Sequence, residues 1–274
     1  MSTEEEFLQR IRLRPSLMQL MQERSPAETE AHITDRIGDD GMEYHLTLAD
    51  LYILMGRLEQ ASACVSRLEQ EVPRALRTCK IYHDLIEADR WRQAWHLNGE
   101  RAPASFVKPP PHIRLRCRGW HEYLQLTVPD AVKCVRKANQ QRRPVAGVLE
   151  NDRKDTQRFD DVRESHSFLS DMLEVLAPKR FFLVPFEHIK RLELPQIETH
   201  RQFAYVTCRI VTNAGQNGVV WVPQYYAGTH LCESDESRAG RVTSWDEIDD
   251  DVSVAAGPRK LQFRCGDSIY LLGL

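Results

Sequence analysis

Over the first hundred residues apolar side chains recur three and four positions apart, the spacing of one helix face. Beyond residue 180 they gather into short β-branched and aromatic blocks, or alternate with polar residues, as strands do. Leu17, Met18, Leu20 and Met21 make a helical stripe that reads as core. Ser25-Pro26-Ala27-Glu28 is a compact helix start, with Ser25 as cap, Pro26 at the first helical position and Glu28 reaching back. From Met42 to Pro73 the pattern fits a tetratricopeptide-like helix pair. Counted from Met42, Leu48, Ala49 and Tyr52 take the large, small and large positions of the first helix and Gly56 the turn. Ala61 takes the small crossing position, Val65 and Leu68 follow on the second helix, and Pro73 is the breaker. The next unit, Leu76 to Gly99, is helical but out of register, because Trp95 stands where a small crossing residue belongs. A single repeat cannot bury its own face, so this part must borrow packing from elsewhere.

Arg101 to His112, with Pro103, Pro109, Pro110 and Pro111, reads as a stiff extended connector that cannot be helix. Ile113 to Leu126 fits either helix or strand. Pro129-Asp130-Ala131 then opens a helix running to about Arg142, with Ala131, Val132, Val135 and Ala138 on one side and basic residues on the other. Residues 144–158 are polar and loop-like, which places a boundary there: 1–143 as a helical, tetratricopeptide-like domain and 144–274 as a domain of helix and strand. In the second part the pattern predicts an amphipathic helix over Ser167–Ala177 and a buried strand over Phe181–Val184. A helical turn from Pro185-Phe186-Glu187 through Leu192 comes next. Phe203–Thr212 and Val219–Pro223 read as strands joined by the hairpin loop Asn213–Gly218. Leu261, Phe263 and Cys265 alternate along another strand, which turns at Gly266-Asp267 into Ser268–Leu272. The fold class is therefore α+β: helices with tetratricopeptide-like pairs first, then a mainly antiparallel sheet.

Composition narrows the function classes. The 274 residues leave room for two modest domains, and 42% hydrophobic with 28% charged residues excludes a disordered chain. The longest uncharged apolar run, Phe181 to Phe186, is far short of a membrane helix. Met1 to Glu6 is acidic where a secretion signal would be basic, and seven scattered cysteines without a C-x-x-C pair read as reduced thiols. The expectation is a cytoplasmic protein with no membrane partner, no disulfide frame and no structural zinc. The net charge of −3 hides a segregation: Lys108 to Arg143 holds nine Lys/Arg against two acids, and Glu233 to Asp251 eight acids against two Arg. Such tracts are usually solvated faces; the sharper reading is a basic helix that docks an acidic partner or this chain's own acidic tract.

Candidate chemistry is sparse. The chain has no G-x-S-x-G elbow, glycine-rich phosphate loop, H-E-x-x-H or dinucleotide fingerprint. His230, Cys232, Glu233 and Asp235 have the residue types of a thiol nucleophile or a metal site, so a thiol- or metal-dependent hydrolase is one alternative. Glu187-His188 reads as a local pair. Trp120 and Tyr123 within the basic segment 108–143 give a second alternative, nucleic-acid binding by base stacking beside cations. The aromatics precede the basic helix and the net charge opposes it. The favoured reading is a protein that is not an enzyme and has no catalytic residues, cofactor or metal.

Several motifs point to a family. Phe159, Val162, Leu169, Leu173 and Glu174 fall in step, followed by Val184-Pro185-Phe186-Glu187-His188-Ile189, Val222-Pro223-Gln224-Tyr225-Tyr226-Ala227-Gly228-Thr229 and Gly240-Arg241-Val242-Thr243-Ser244-Trp245. With Arg101-Ala102-Pro103, Pro109-Pro110-Pro111 and the helix pair at 42–73, the chain resembles the ImpE/SciE/TagJ-like accessory proteins of bacterial type VI secretion systems. It departs from the family pattern at Ala227, where Pro is usual, and at Glu164 and His166, where Asp is usual; the first 40 residues match poorly. The resemblance implies a non-enzymatic virulence-associated adaptor. Its partner would be the N-terminal helix of the small, TssB-type subunit of the contractile sheath, and it would tune sheath assembly or recycling. It marks Phe186, Glu187, Tyr225, Tyr226, Arg241 and Trp245 as candidate partner-binding or motif residues. Phe186 is expected to be buried, Glu187 and Arg241 paired or capping, and Trp245 closing the core.

Overall fold

The computed structural model describes residues 17–40, 44–150, 153–194 and 204–273. Met1 to Glu6, the start of the repeat at Met42 and the strand start at Phe203 lie outside them. Among the described residues helices come first: α1 (Leu17–Glu23), α2 (Pro26–Asp40), α3 (Tyr44–Leu54), α4 (Leu58–Glu71), α5 (Leu76–Asn98), α6 (Pro111–Leu124) and α7 (Val128–Gln141). The start of α2 is a capping box: Ser25 N–H donates to Glu28 at 2.8 Å and Glu28 N–H to Ser25 Oγ at 3.3 Å. Helices α3 and α4 form a hairpin in which Ala49 and Ala61 are fully buried, and Gly56 takes the left-handed φ of +67° that the turn requires. The connector is irregular rather than uniformly extended, with bends at Arg101, Phe106 and Val107 and a bridge from Ala104 to Phe182, and Pro111 already belongs to α6, as proline can at a helix start. The ambiguous 113–126 stretch is thus mostly helix.

The strands follow as β1 (Gly147–Glu150), β2 (Thr156–Phe159), β3 (Asp161–Glu164), β4 (Met172–Ala177), β5 (Arg180–Pro185), β6 (Ile189–Glu193), β7 (Tyr205–Thr212) and β8 (Asn217–Pro223). The short helix α8 (Asp235–Arg238) precedes β9 (Ser244–Asp249), β10 (Val252–Ala256), β11 (Lys260–Cys265) and β12 (Ser268–Gly273). A five-stranded antiparallel sheet runs β5-β4-β8-β7-β6, a three-stranded one β12-β11-β3, and β1-β2 and β9-β10 are separate hairpins. Here the sequence reading is corrected. Residues 172–177 are strand, not the end of an amphipathic helix; only one 3-10 turn, Phe186–His188, precedes strand β6; and the loop-like 144–158 segment carries β1 and part of β2.

The reason for the main error lies in how β4 is buried. Met172 and Leu176 belong to a core shared with α3–α7, while Leu173 and Val175 point into a second core with Val162, Leu261 and Phe263. The central sheet is covered on one face by helices and on the other by the small sheet. A strand buried on both faces reads as an unbroken apolar run, which periodicity alone does not separate from a buried helix. The first of these cores unites Ala49, Leu85 and Trp95 with Phe168, Phe181 and Tyr205, so the helices and the sheet share one apolar interior. No described helix is long and apolar enough to cross a membrane.

Candidate functional site

Where helices meet sheet, the interior is charged. Asp89, Arg92 and His96 sit on one face of α5, at i, i+3 and i+7, and Glu174 occupies the helix-facing side of β4 between Met172 and Leu176. Glu174 Oε1 accepts from Arg92 Nε at 3.1 Å and lies 2.5 Å from His96 Nε2. Its Oε2 accepts from Arg92 Nη2 at 3.1 Å and faces Arg259 Nη1 at 3.1 Å. Arg92 also binds Asp89 Oδ1 at 3.1 Å and the Tyr225 carbonyl at 2.6 Å. Arg259 continues to Glu164 Oε2, with Nε at 3.0 Å, and Tyr226 donates its hydroxyl to Glu164 Oε1 at 2.5 Å. Glu164, Glu174 and Arg259 expose none of their side chains. Burial opposes ionisation of Glu174, yet Arg92, His96 and Arg259 outweigh it and hold its carboxyl well below the usual range. Burial and the neighbouring Glu164 push the Tyr226 hydroxyl up, so it stays a donor.

A second buried network ties the other two helices down. Arg116 of α6 donates to Asp171 at 2.5 Å and to Asn139 Oδ1 at 2.6 Å. Arg142, just after α7, grips both oxygens of Asp161 at 2.7 and 2.8 Å and approaches Asp171 at 2.8 Å. Burial raises the Asp161 carboxyl, but these bonds and the Val145 N–H hold it down at about 2. Between the networks His166 packs among Trp120, Phe168 and Tyr226, and its Nδ1 accepts from Phe168 N–H at 3.3 Å. Burial, reinforced by His96, holds His166 neutral with a pKa of about 3.

The motif residues fall around these ties. Phe186 is buried, as expected. Glu187 pairs only loosely with His188, at 3.9 Å, and its carbonyl accepts from Asn213. Tyr226 is a member of the charged network, and the Tyr225 ring lies where a Cβ on Gly240 would be, 2.5 Å away. Arg241 pairs with Glu236 at 2.5 and 2.8 Å and donates to the Met21 and Arg24 carbonyls at 2.6 and 3.3 Å, capping α1. Trp245 does not close the core: it is 42% exposed on β9, with Lys260 Nζ 5.6 Å from its ring, and the hairpin's buried members are instead Val252 and Ala255 of β10.

The alternative chemistries lose their geometry. Burial pushes the Cys232 thiol up, the reverse of what a nucleophile needs, and its sulfur faces the Ser234 carbonyl. The His230 ring stacks under the turn at Gly56, and Asp235 pairs with Arg238. Among the described residues no group of three His, Cys, Asp or Glu is placed to hold a metal ion. Trp120 is buried against Trp95, His96 and Phe168 and offers no stacking platform to a nucleotide.

Sequence reasoning missed most of the charged interior, although it had traces. A lone carboxylate inside the apolar run Met172–Ala177 and three ionisable residues on the Leu85–Trp95 face of α5 were the visible signals. Arg259 and Arg116, on outwardly polar stretches, gave none.

Three comparisons place this architecture. The crystal structure of protein VPA1032 from Vibrio parahaemolyticus shares the fold, with a TM-score of 0.76 and 17% identity over 99% of this chain and 94% of the other. No curated protein matches the chain. Residues 156–269, the span that carries Glu164, Glu174, Tyr226, Arg241 and Arg259, match the family model described as ImpE protein. With the motifs in register, residues 156–269 are similar to the ImpE protein family over that span.

Proposed function

We propose that this protein is a non-enzymatic cytoplasmic adaptor that binds the N-terminal helix of the small, TssB-type sheath subunit and modulates sheath assembly or recycling. In this reading residues 1–143 form the recognition part and residues 144–274 the brace that holds it. The observation that carries the reading is the role of the ImpE-domain charges. Glu164, Glu174, Asp161 and Asp171 are committed to arginines in buried ion pairs, and those of Glu174, Asp171 and Asp161 reach across to α5, to α6 and to Arg142 just after α7. Groups held this way fix a helical layer in place and are not poised for proton or group transfer. A braced helical layer suits capture of an amphipathic helix through anchors at i, i+3, i+4 and i+7.

The test is co-purification of the full chain with the small sheath subunit, intact and lacking its first helix. Retention of the intact subunit and loss of the truncated one is the expected result. Equal retention of both overturns the proposal.

A further inference from the structure

The basic segment remains without a role in this picture. On α7 Lys133, Arg136, Lys137 and Gln140 lie at i, i+3, i+4 and i+7, an exposed stripe rising about 10 Å along the helix. The stripe lines an open groove of about 470 Å³ together with Pro129 and with Asp249 of β9, while Val132 beneath it is buried. Lys133 and Lys137 form no ion pair among the described residues. Arg136 already holds carboxylates: it reaches Asp251 at 2.8 and 3.0 Å and Asp249 at 3.2 Å. The three side chains are 36% to 51% exposed, so this tie is a weak, water-screened one that another carboxylate can replace. Just before α7, Leu126 is 85% exposed and held at a left-handed φ of +61°, a conformation that costs a leucine energy and presents an apolar side chain to water.

We propose that this groove is a docking site for an acidic, leucine-bearing helical segment of another protein. Its carboxylates, one turn apart, would meet Lys133, Lys137 and Arg136, and its aliphatic side chains would lie on Pro129 and the methylene stems of the two lysines. Charge complementarity selects this occupant: three cations face the groove, and the chain's own Asp249 and Asp251 show the carboxylate chemistry that Arg136 accepts. A nucleic acid fits worse, since its phosphates would lie against the acidic run Asp246–Asp251 and the aromatic Trp120 is buried. The inference rests on the adaptor reading in one respect, that the occupant is a protein.

The experiment uses the full chain and a labelled amphipathic peptide of about 18 residues, built of Glu, Ala and Leu with Glu one turn apart, followed by fluorescence anisotropy. Lys133→Glu with Lys137→Glu, both on the surface, weakens binding by about ten-fold or more, and circular dichroism verifies that the variant is folded. Asp249→Asn with Asp251→Asn removes the competing carboxylates and tightens binding by about two- to five-fold. Equal binding of the peptide to wild type and to the lysine double variant overturns the proposal, as does equally tight binding of a duplex oligonucleotide. Capture of the small sheath subunit is scored separately with wild-type protein. Its absence overturns the proposed function alone, whereas the peptide comparison decides the groove whatever the sheath subunit does.

Discussion

At the scale of single residues, Glu174 has the largest leverage. It is the carboxylate on which Arg92, His96 and Arg259 converge, and removing its charge leaves buried Arg92 with Asp89 alone and buried Arg259 with Glu164 alone. Glu174→Gln is expected to cost about 3–5 kcal/mol, read as a lowered urea midpoint. Buried His166 and Asp161 make the fold acid-sensitive, and the sign is the same for both. Each has a folded pKa below its ordinary value, about 3 against 6.5 for His166 and about 2 against 3.8 for Asp161. The unfolded chain therefore takes up protons that the folded chain refuses, so stability is complete above about pH 6.5 and falls as the pH drops toward 3 and then 2. His166→Phe flattens the upper part of that slope, which chemical denaturation at a series of pH values measures. His166 reads in the sequence as one histidine among ten, because its significance lies wholly in the Trp120, Phe168 and Tyr226 rings that surround it.

At the scale of elements, two contacts join distant segments at backbone level. Arg241 caps α1 across more than two hundred residues of sequence, and Arg241→Ala leaves the Met21 and Arg24 carbonyls without their donor. Faster tryptic cleavage at Arg24, with the rest of the chain protected, is the expected result. Gly56 combines a φ of +67° with a His230 ring 2.5 Å from any added Cβ. Gly56→Ala is therefore expected to destabilise by about 1–3 kcal/mol, read by thermal melting. Helix α7 was legible because Pro129 opens it and its apolar and basic sides separate. The hairpin β7-β8 was legible because Asn213 to Gly218 is turn chemistry between β-branched runs. Strand β4 was not, since its two buried faces erase the alternation by which strands are recognised, and β9 was not, since its acidic residues mask it.

At the scale of the whole molecule, the passage from helix to strand after Gln141 does not interrupt the core, which runs from Ala49 and Leu85 to Phe181 and Tyr205. A fragment of residues 1–143 loses the sheet face it packs on, the Glu174 partner of Arg92 and the Asp171 partner of Arg116. It is expected to bind a hydrophobic dye strongly and to unfold without a sharp transition, whereas the full chain does neither. The order of helices before strands could be read from the sequence. That the helices must borrow packing from elsewhere was legible too, from the lone repeat; the pairs that carry the dependence were not, because Arg92 and Glu174, and Arg116 and Asp171, lie 82 and 55 positions apart.

Those long-range pairs also limit how relatives can be recombined. Apolar layers tolerate exchange when volume is kept, but a guanidinium aligned on one carboxylate accepts no slippage and no substitute of the wrong charge. Joining the helices of this chain to the sheet of a protein of the same fold is therefore expected to succeed only when that sheet presents carboxylates and a guanidinium where Glu164, Glu174 and Arg259 stand. In this chain the two halves are exchangeable only as one lattice of charges that straddles the junction.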